Sequence, residues 1–242
     1  GNPVFPFLSD PDSPIYIRPL DQSRVIGNME ITAGYDHGMP SNSGFVVTAS
    51  DNTGNVYIIW QIYEPCKNYK EMARKIKACP YFGHLSRPIT CDHSMSNRTQ
   101  QTSSGLKTMI DLFGEEGVVM VPGRRGADYA WATRLLGSYW ADPKHPRLFI
   151  TDDCPDVARE WKNLRWAPIS DRSAQTREAP QKIMQKDNHT FDAVAYDRDG
   201  RERHAPEAER QAKRYSAEKI MERIREARHS RPDRKGFVNV VR

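Results

Sequence analysis

Three aspartates lie far apart in this chain, and each stands where a hydrophobic segment meets a loop. They are Asp36, Asp92 and Asp192. Divalent cations such as Mg²⁺ prefer oxygen ligands, and a metal-dependent nuclease gathers carboxylates for them from separate elements. His189 precedes Asp192 by three positions, so a helix would present both side chains on one face. An aspartate at a strand end is often a simple turn residue, but the ordered set of three favours metal-dependent catalysis.

The composition describes a polar globular chain and excludes several classes of protein. Of the 242 residues, 38% are hydrophobic and 28% are charged. No apolar run reaches the roughly 18 residues that span a membrane. The Walker signature and the Gly-x-Gly-x-x-Gly fingerprint are both absent, so no nucleotide site is predicted. The four cysteines lack Cys-x-x-Cys spacing, which favours reduced thiols over a zinc site or a disulfide framework.

The net charge of +5 is concentrated at the C-terminal end. Residues 198–242 contain fourteen Lys or Arg against eight Asp or Glu, whereas the other 197 residues contain 22 against 23. A near-neutral body with a basic tail is typical of a chain that meets nucleic acid or an acidic partner. A solvated helix with internal ion pairs explains the tail equally well.

The hydrophobic pattern predicts three adjacent strands, then one helix, then alternating strands and helices. Because short alternation of this kind gives parallel strands with helices on both faces, we expect a mixed sheet of five or six strands in an RNase H-like α/β fold. The predicted strands are 30–36, 44–50, 56–63, 88–91, 118–121 and 147–151, and the predicted helices are 68–78, 103–113, 128–140 and 155–166.

The same pattern divides the chain into three parts. Residues 1–28, rich in Pro, Asp and Ser, predict an irregular lead-in, and residues 29–197 predict the folded domain. Residues 198–242 predict a basic helical tail that is partly flexible. Within the domain, polar residues 168–187 predict a loop or hairpin ahead of the third aspartate. The start Gly-Asn-Pro, without a Met, favours one half of a longer polypeptide.

Four motifs occur in order along the chain. They are Gly34-Tyr-Asp-His-Gly38, the strand-end Asp92, Thr151-Asp-Asp-Cys-Pro-Asp-Val-Ala-Arg-Glu-Trp161 with Arg165-Trp166, and Asp187-Asn-His-Thr-Phe-Asp192-Ala-Val-Ala-Tyr196. Together they resemble the nuclease domain of the large terminases of tailed bacteriophages, over about residues 30–197. The resemblance implies an RNase H-like endonuclease that cuts concatemeric double-stranded DNA during genome packaging, with little sequence specificity. It also implies two divalent ions, Mg²⁺ or Mn²⁺.

The resemblance implies a role for each candidate residue. Asp36 is expected to bridge both metal ions, while Asp92 and Asp192 each hold one of them. His189 is expected beside the site, where it would orient a ligand or water or move a proton. Asp187 is expected to be either an auxiliary metal ligand or a helix cap.

One position departs from the pattern of the family. His93 follows Asp92, whereas many relatives have Pro or Ala there. Asp111 and Asp128 are therefore competing candidates for the second acid. Both fall inside or at the start of a predicted helix, where a solvated or capping role is expected instead.

Five basic residues are candidates for contact with the DNA backbone. Arg124 and Arg125 occupy a Pro-Gly-Arg-Arg-Gly segment at a predicted strand end, and Arg177, Lys182 and Lys186 precede the third aspartate. Cations at such positions bind phosphates and contribute affinity without sequence readout. Solvated turn residues are the alternative interpretation.

The resemblance also implies partners and a location. We expect double-stranded DNA, the portal protein, the small terminase subunit and an ATPase half of the same polypeptide, in the cytoplasm of an infected host cell and not in the mature virion. Two other functions stay open. One is another RNase H-like nuclease of the resolvase or transposase type, and the other is a non-catalytic module that docks on a portal or capsid protein.

Overall fold

A computed structural model describes residues 2–10, 12–38, 40–102, 105–123, 129–142, 144–167, 183 and 187–203. In these residues seven strands form one sheet, and two others form a separate hairpin. In chain order the strands are β1 (Tyr16–Ile17), β2 (Glu30–Asp36), β3 (Asn42–Ser50), β4 (Val56–Pro65), β5 (Ile89–Cys91), β6 (Arg98–Thr102), β7 (Gly105–Thr108), β8 (Met120–Pro122) and β9 (Leu148–Thr151).

The strands of the sheet follow the order β1-β9-β4-β3-β2-β5-β8. β2, β3 and β4 are antiparallel neighbours, which confirms the predicted antiparallel start. β5 and β8 continue the sheet in parallel beside β2, and β9 and β1 continue it in parallel beside β4. The mixed RNase H-like sheet is confirmed. It has seven strands where five or six were expected, because β1 comes from the lead-in and pairs with β9.

The prediction of an irregular lead-in over residues 1–28 is wrong. A 3-10 helix spans Pro6–Ser9, and helix α1 spans Gln22–Asn28 directly ahead of β2. Leu8 and Val25 are fully buried in the core, and Phe5 is 5% exposed. The prolines and aspartates of this segment are separated by apolar side chains, whose burial gives the segment a fixed place against the sheet.

In the described part of the chain, five further helices cover the two faces of the sheet. α2 and α3 pack with one set of alternate strand positions, including Tyr35 and Phe45. α4, α5 and α6 pack with the opposite set, including Val46 and Ile58, so the domain has three layers. The helices are α2 (Tyr69–Lys77), α3 (Met109–Glu115), α4 (Tyr129–Gly137), α5 (Pro155–Asn163) and α6 (His189–Arg203).

The predicted helix over 103–113 is only partly correct, because Gly105–Thr108 form strand β7 of the β6–β7 hairpin. Gly105, with φ of 108°, adopts a backbone conformation that side chains disfavour, and it stands where β7 begins. α3 starts only after Thr108. The Thr108 side chain accepts a hydrogen bond from the Asp111 backbone N–H (3.0 Å), and Asp111 Oδ2 accepts one from the Thr108 N–H (2.9 Å). This capping box fixes the helix start.

The other predicted helices are present with somewhat different ends. α2 lies inside the predicted 68–78, with Asn68 as its N-cap. α4 continues as a 3-10 turn over Ser138–Trp140, in agreement with the prediction for 128–140. α5 ends at Asn163 and not at residue 166. Residues 103 and 128 themselves, and all of 168–187 except 183 and 187, lie outside the described residues.

α6 crosses the middle of the sheet at very short range, and two glycines allow this approach. A Cβ on Gly34 in β2 would lie 1.8 Å from the Ala193 carbonyl oxygen. A Cβ on Gly44 in β3 would lie 2.6 Å from the His189 carbonyl oxygen. Such distances exclude any side chain without movement of the helix, so the glycines set the height of α6 above the sheet.

The C-terminal half of α6 is anchored by buried charges. The Arg198 guanidinium donates to Asp197 Oδ2 (2.7 Å), and Arg87 donates to Asp197 Oδ1 (2.7 Å). Thr32 and Thr48, from β2 and β3, hydrogen-bond to the same aspartate. Burial is the largest single effect on the pKa of Asp197 and raises it, but the charges of Arg198 and Arg87 together with the hydrogen bonds outweigh burial and lower the pKa below its usual value.

The expected boundary between domain and tail falls at residue 197, but α6 runs without a break to Arg203. Arg198 is 1% exposed and Asp199 is 4% exposed. The structure therefore places residues 198–200 with the sheet. The rest of the predicted tail, residues 204–242, lies outside the described residues. None of the helices in the described part of the chain has the length and apolar character needed to cross a membrane.

Candidate active site

Three positions on neighbouring strands form a row at one end of the sheet. Asp36, the last residue of β2, pairs with Gly44 of β3, and Gly44 pairs in turn with Tyr63 of β4. Directly paired residues of antiparallel strands point to the same face. Since that face of Gly44 meets the His189 backbone, Asp36 and Tyr63 flank the first residue of α6 from its two sides.

Asp36 and His189 form a direct hydrogen bond. His189 Nδ1 lies 2.6 Å from Asp36 Oδ2, and Asp36 is 8% exposed. The hydrogen bond raises the pKa of His189, although burial acts in the opposite direction. Burial raises the pKa of Asp36, although the bond to His189 opposes it. While Asp36 is ionised, Nδ1 must carry the proton in this bond, which leaves Nε2 to face other groups.

Asp192 lies one helical turn after His189 on α6, as the spacing predicts. Its Oδ2 accepts a hydrogen bond from Asn188 Nδ2 (2.7 Å). Burial raises the pKa of Asp192 well above its usual value. The charges of Asp36, Glu160 and Asp92 raise it further. Asp192 therefore belongs to the same cluster of acids as Asp36.

Asp92 reaches this cluster from the neighbouring strand. Its backbone N–H donates to the Tyr35 carbonyl (3.1 Å), one residue before Asp36. Its carboxylate accepts from the Ser94 N–H (3.1 Å) and from the Ser94 hydroxyl, which starts a 3-10 turn over His93–Ser96. The negative charge of Asp92 raises the pKa of both Asp36 and Asp192. The parallel pairing of β2 and β5 thus brings the two strand-end acids together.

The competing acids and the accessory acid have other positions. Asp111 is held in the capping box of α3, and Asp128 lies outside the described residues. Asp187 is exposed and has a positive φ of 52° immediately before α6. Its charge raises the pKa of His189, so it faces the same region. The first N–H groups of α6, however, are bound by Glu160 and not by Asp187.

Glu160 of α5 is the residue of this region that sequence reasoning missed. Its Oε1 accepts from the N–H of Thr190 (2.8 Å), from the N–H of Phe191 (2.9 Å) and from the Thr190 hydroxyl. Its Oε2 is buried without a hydrogen-bond partner in the described part of the chain. Burial raises the pKa of Glu160 to about 7, against these hydrogen bonds. Glu160 thereby holds the end of α6 that carries His189.

A signal for Glu160 exists in the sequence. Glu160 follows Val157 by three positions and precedes Trp161, so it occupies the apolar face of an amphipathic helix. A carboxylate on such a face requires buried donors. Those donors come from α6, about thirty residues later, and nothing local in the sequence identifies them.

The donor set suits a hard divalent cation, since Asp36, Asp92 and Asp192 supply only oxygens. A cation would also relieve the repulsion that raises the pKa of Asp192. Each acid now uses one or both carboxylate oxygens in hydrogen bonds within the protein. Among the residues that the structure describes, no group of three or more His, Cys, Asp or Glu side chains stands close enough together to hold a metal ion.

The five residues predicted to contact DNA cannot be placed relative to the acids. Arg124, Arg125, Arg177, Lys182 and Lys186 all lie outside the described residues. Gly123, the residue before Arg124, donates its N–H to the Cys91 carbonyl (2.7 Å) next to Asp92. Gly123, which follows the last residue of β8, therefore lies beside the second acid.

Several solved structures have a similar arrangement of strands and helices. The P22 large terminase nuclease domain matches with a TM-score of 0.58 and 13% identity, over 81% of this chain and 92% of that one. The g2p (large terminase) nuclease domain of bacteriophage SPP1, with bound Mn, matches with a TM-score of 0.55 and 22% identity, over 76% and 96%. The chain has the fold of a large-terminase nuclease domain.

A longer protein shares this fold over part of its length. The large terminase of a thermophilic bacteriophage matches with a TM-score of 0.56 and 15% identity, over 80% of this chain but only 44% of that one. The resemblance inferred from the sequence motifs is thus confirmed at the level of the fold. No family model matches the sequence, and no curated protein is similar to it in sequence.

Proposed function

We propose that this chain is the endonuclease domain of a viral large terminase, which hydrolyses phosphodiester bonds of double-stranded DNA during genome packaging. The observation that carries the proposal is the hydrogen bond between Asp36 and His189 at the end of the sheet where the charges of Asp36 and Asp92 also act on Asp192. The fold shared with terminase nuclease domains supports it. Fold alone does not determine function, so the acid cluster is the stronger support.

Asp36, Asp92 and Asp192 would hold the divalent ions, and exposed Asp187 would be a further oxygen donor. The Mn in the SPP1 domain supports Mn²⁺ or Mg²⁺ as the metal. The bound ions would supply an activated water and neutralisation of the charge on the leaving oxygen.

His189 would act beside the acids through its position on α6. Its Nδ1 orients the Asp36 carboxylate, and its Nε2 is left to accept or donate a proton on the side away from Asp36. Because the pKa of His189 is raised, its ring stays protonated up to a higher pH than an isolated imidazole does. Such a group can orient water or transfer a proton near neutral pH.

The proposed partners follow from the same assignment. Concatemeric viral DNA would be cut with little sequence specificity, since phosphate contacts carry no sequence information. The chain matches 43% of the length of a thermophilic bacteriophage large terminase that was solved in complex with ADP, so an ATPase half on the same polypeptide is part of the proposal. The portal protein and small terminase subunit would be met in the cytoplasm of the infected host.

Cleavage of supercoiled plasmid by the purified chain in Mg²⁺, Mn²⁺ or EDTA tests the proposed function. We expect nicked and then linear product in one or both metals and none in EDTA. A four-way DNA junction of matched length is the second substrate. Strong preference for the junction would favour a resolvase, and no cleavage of either substrate by the folded chain would favour a docking module.

A further inference from the structure

An exposed arginine stands beside the acid cluster in a fixed position. Arg159 of α5 has a side chain that is 59% exposed. Its guanidinium carbon lies 5.4 Å from the centre of the Tyr63 ring. One of its nitrogens donates to Asp156 Oδ1 (2.6 Å). Ring and carboxylate thus hold a side chain that would otherwise sample many rotamers.

Tyr63 connects this guanidinium to the candidate active site. Its ring centre lies 6.4 Å from that of His189, and His189 is bonded to Asp36. The strand register explains this proximity, because Tyr63 pairs with Gly44 directly below the start of α6. Arg159 is therefore one aromatic ring away from the histidine of the acid cluster.

A cation beside the acids would offset their repulsion of DNA. Asp36 and Asp92 end neighbouring strands, exposed Asp187 precedes α6, and negative charge on these groups repels the DNA backbone. A guanidinium binds phosphate oxygens through two parallel N–H groups, which gives orientation as well as affinity. Its surface ion pair with Asp156 contributes little, so a phosphate can replace that partner at small cost.

We propose that Arg159, stacked on Tyr63, binds a phosphodiester of the DNA backbone next to the bond that is cut. The proposal rests on the proposed function for the identity of the substrate, but its binding part is testable without cleavage. It assigns a phosphate contact to a described residue, whereas the five contact residues predicted from the sequence lie outside the described residues.

The same helix offers a matched control. Lys162, three positions after Arg159, also places its charged nitrogen over a tyrosine ring, 5.9 Å from the centre of Tyr16. Tyr16 belongs to β1, at the edge of the sheet and two strands away from β4. Arg159→Ala and Lys162→Ala each remove one cation from α5 that is stacked on a tyrosine. Only Arg159→Ala removes a cation that lies on the tyrosine next to His189.

Binding of a fluorescent DNA duplex, measured by anisotropy in EDTA over a range of salt concentrations, tests the proposal. Arg159→Ala should weaken binding about three- to tenfold and reduce the slope of log affinity against log salt by about one. Lys162→Ala should change neither beyond about twofold. Arg159→Lys should recover part of the affinity, because it restores the charge without the paired donors. Thermal melting of each variant checks that the fold is kept.

Several outcomes would overturn the phosphate site. Binding by Arg159→Ala that equals wild type would do so, as would equal losses for the two alanine variants, which would indicate only general attraction to a basic helix. A folded wild-type chain that does not bind DNA would overturn it as well. Wild-type binding without cleavage in Mg²⁺ or Mn²⁺, together with the expected loss in Arg159→Ala, would leave the phosphate site in place and remove only the nuclease assignment.

Discussion

Gly44 lies directly beneath His189: a Cβ on Gly44 would stand 2.6 Å from the His189 carbonyl oxygen and 2.9 Å from the Thr190 nitrogen. This contact joins the central strands to the first turn of α6. It sets the position of the histidine ring between Asp36 and Tyr63. The geometry of the candidate active site therefore depends on the absence of a side chain at one strand position.

Gly44→Ala should displace the start of α6 and separate His189 from Asp36. We expect a loss of about 1–3 kcal/mol in the free energy of unfolding, since backbone atoms must move to admit the methyl group. The rate of DNA cleavage should fall by more than the loss of folded protein explains. Gly27→Ala is the control, because a Cβ there meets no atom within 4 Å in helix α1. That change should be neutral or stabilising by up to about 1 kcal/mol.

Chemical denaturation and plasmid cleavage of the two glycine variants measure these effects. If Gly44→Ala cut DNA as fast as wild type, the position of α6 would not matter for catalysis. The link between Gly44 and the site would then be wrong.

Glu160 should make stability depend on pH. Burial raises its pKa to about 7 in the folded chain, from an ordinary value of 4.5. The folded state therefore binds more protons than the unfolded state between these values, and stability falls as the pH rises from about 4.5 to about 7. Glu160→Gln removes this dependence and keeps an acceptor for the α6 N–H groups.

The comparison is made by thermal melting in EDTA at pH 4.5 and pH 8. The free energy of unfolding of Glu160→Gln, taken relative to that of wild type, should be higher at pH 8 than at pH 4.5 by on the order of 2–3 kcal/mol. Glu160→Ala should be destabilised at both, because it leaves buried N–H groups unpaired. A constant difference between the glutamine variant and wild type across this range would show that folding does not raise the pKa of Glu160.

Asp92 and Asp111 should behave in opposite ways when each is changed to asparagine. Asp92→Asn should reduce cleavage by about a hundredfold or more, because it removes a charged metal ligand, with little change in melting temperature. Asp111→Asn should leave cleavage near wild type and cost about 1 kcal/mol of stability through the weakened capping box. The reverse pattern would make Asp111 the second acid.

The buried charges of α6 predict where the chain can be shortened. A chain that ends at residue 197 lacks Arg198, whose guanidinium is bonded to Asp197, Thr32 and Thr48. It should be less stable than a chain that ends at Arg203 by about 3–5 kcal/mol, because Asp197 loses a buried partner. Denaturant titration of the two truncated chains measures the difference. Equal stability would mean that the Arg198 contacts contribute nothing.

Much of this fold could be predicted from the sequence because its signals are local. The alternating residues of β2 and the Asp-Asn-Thr-Gly turn before β4 identify the antiparallel start, and Asp36 follows from its place at the end of β2. The hairpin of β6 and β7 could not be predicted in this way, because the cap that ends it, Thr108 with Asp111, lies inside a segment of helical composition.

The remaining features depend on contacts between distant parts of the chain. Glu160 contacts the start of α6 thirty residues away, and Arg159 meets a tyrosine that lies 96 positions earlier. Leu8 in the lead-in is buried although its neighbours in sequence are mostly polar or proline. Composition and periodicity describe one segment at a time, so they cannot identify such partners.

The central claim is that Asp36 binds a divalent ion for phosphodiester hydrolysis. Its most direct test is Asp36→Asn, studied by calorimetric titration with Mn²⁺ and by plasmid cleavage in the same buffer, next to wild type. We predict a folded variant that has lost most Mn²⁺ affinity and at least about a hundredfold in cleavage rate. Wild-type cleavage by the folded variant, or Mn²⁺ affinity equal to wild type, would contradict the assignment.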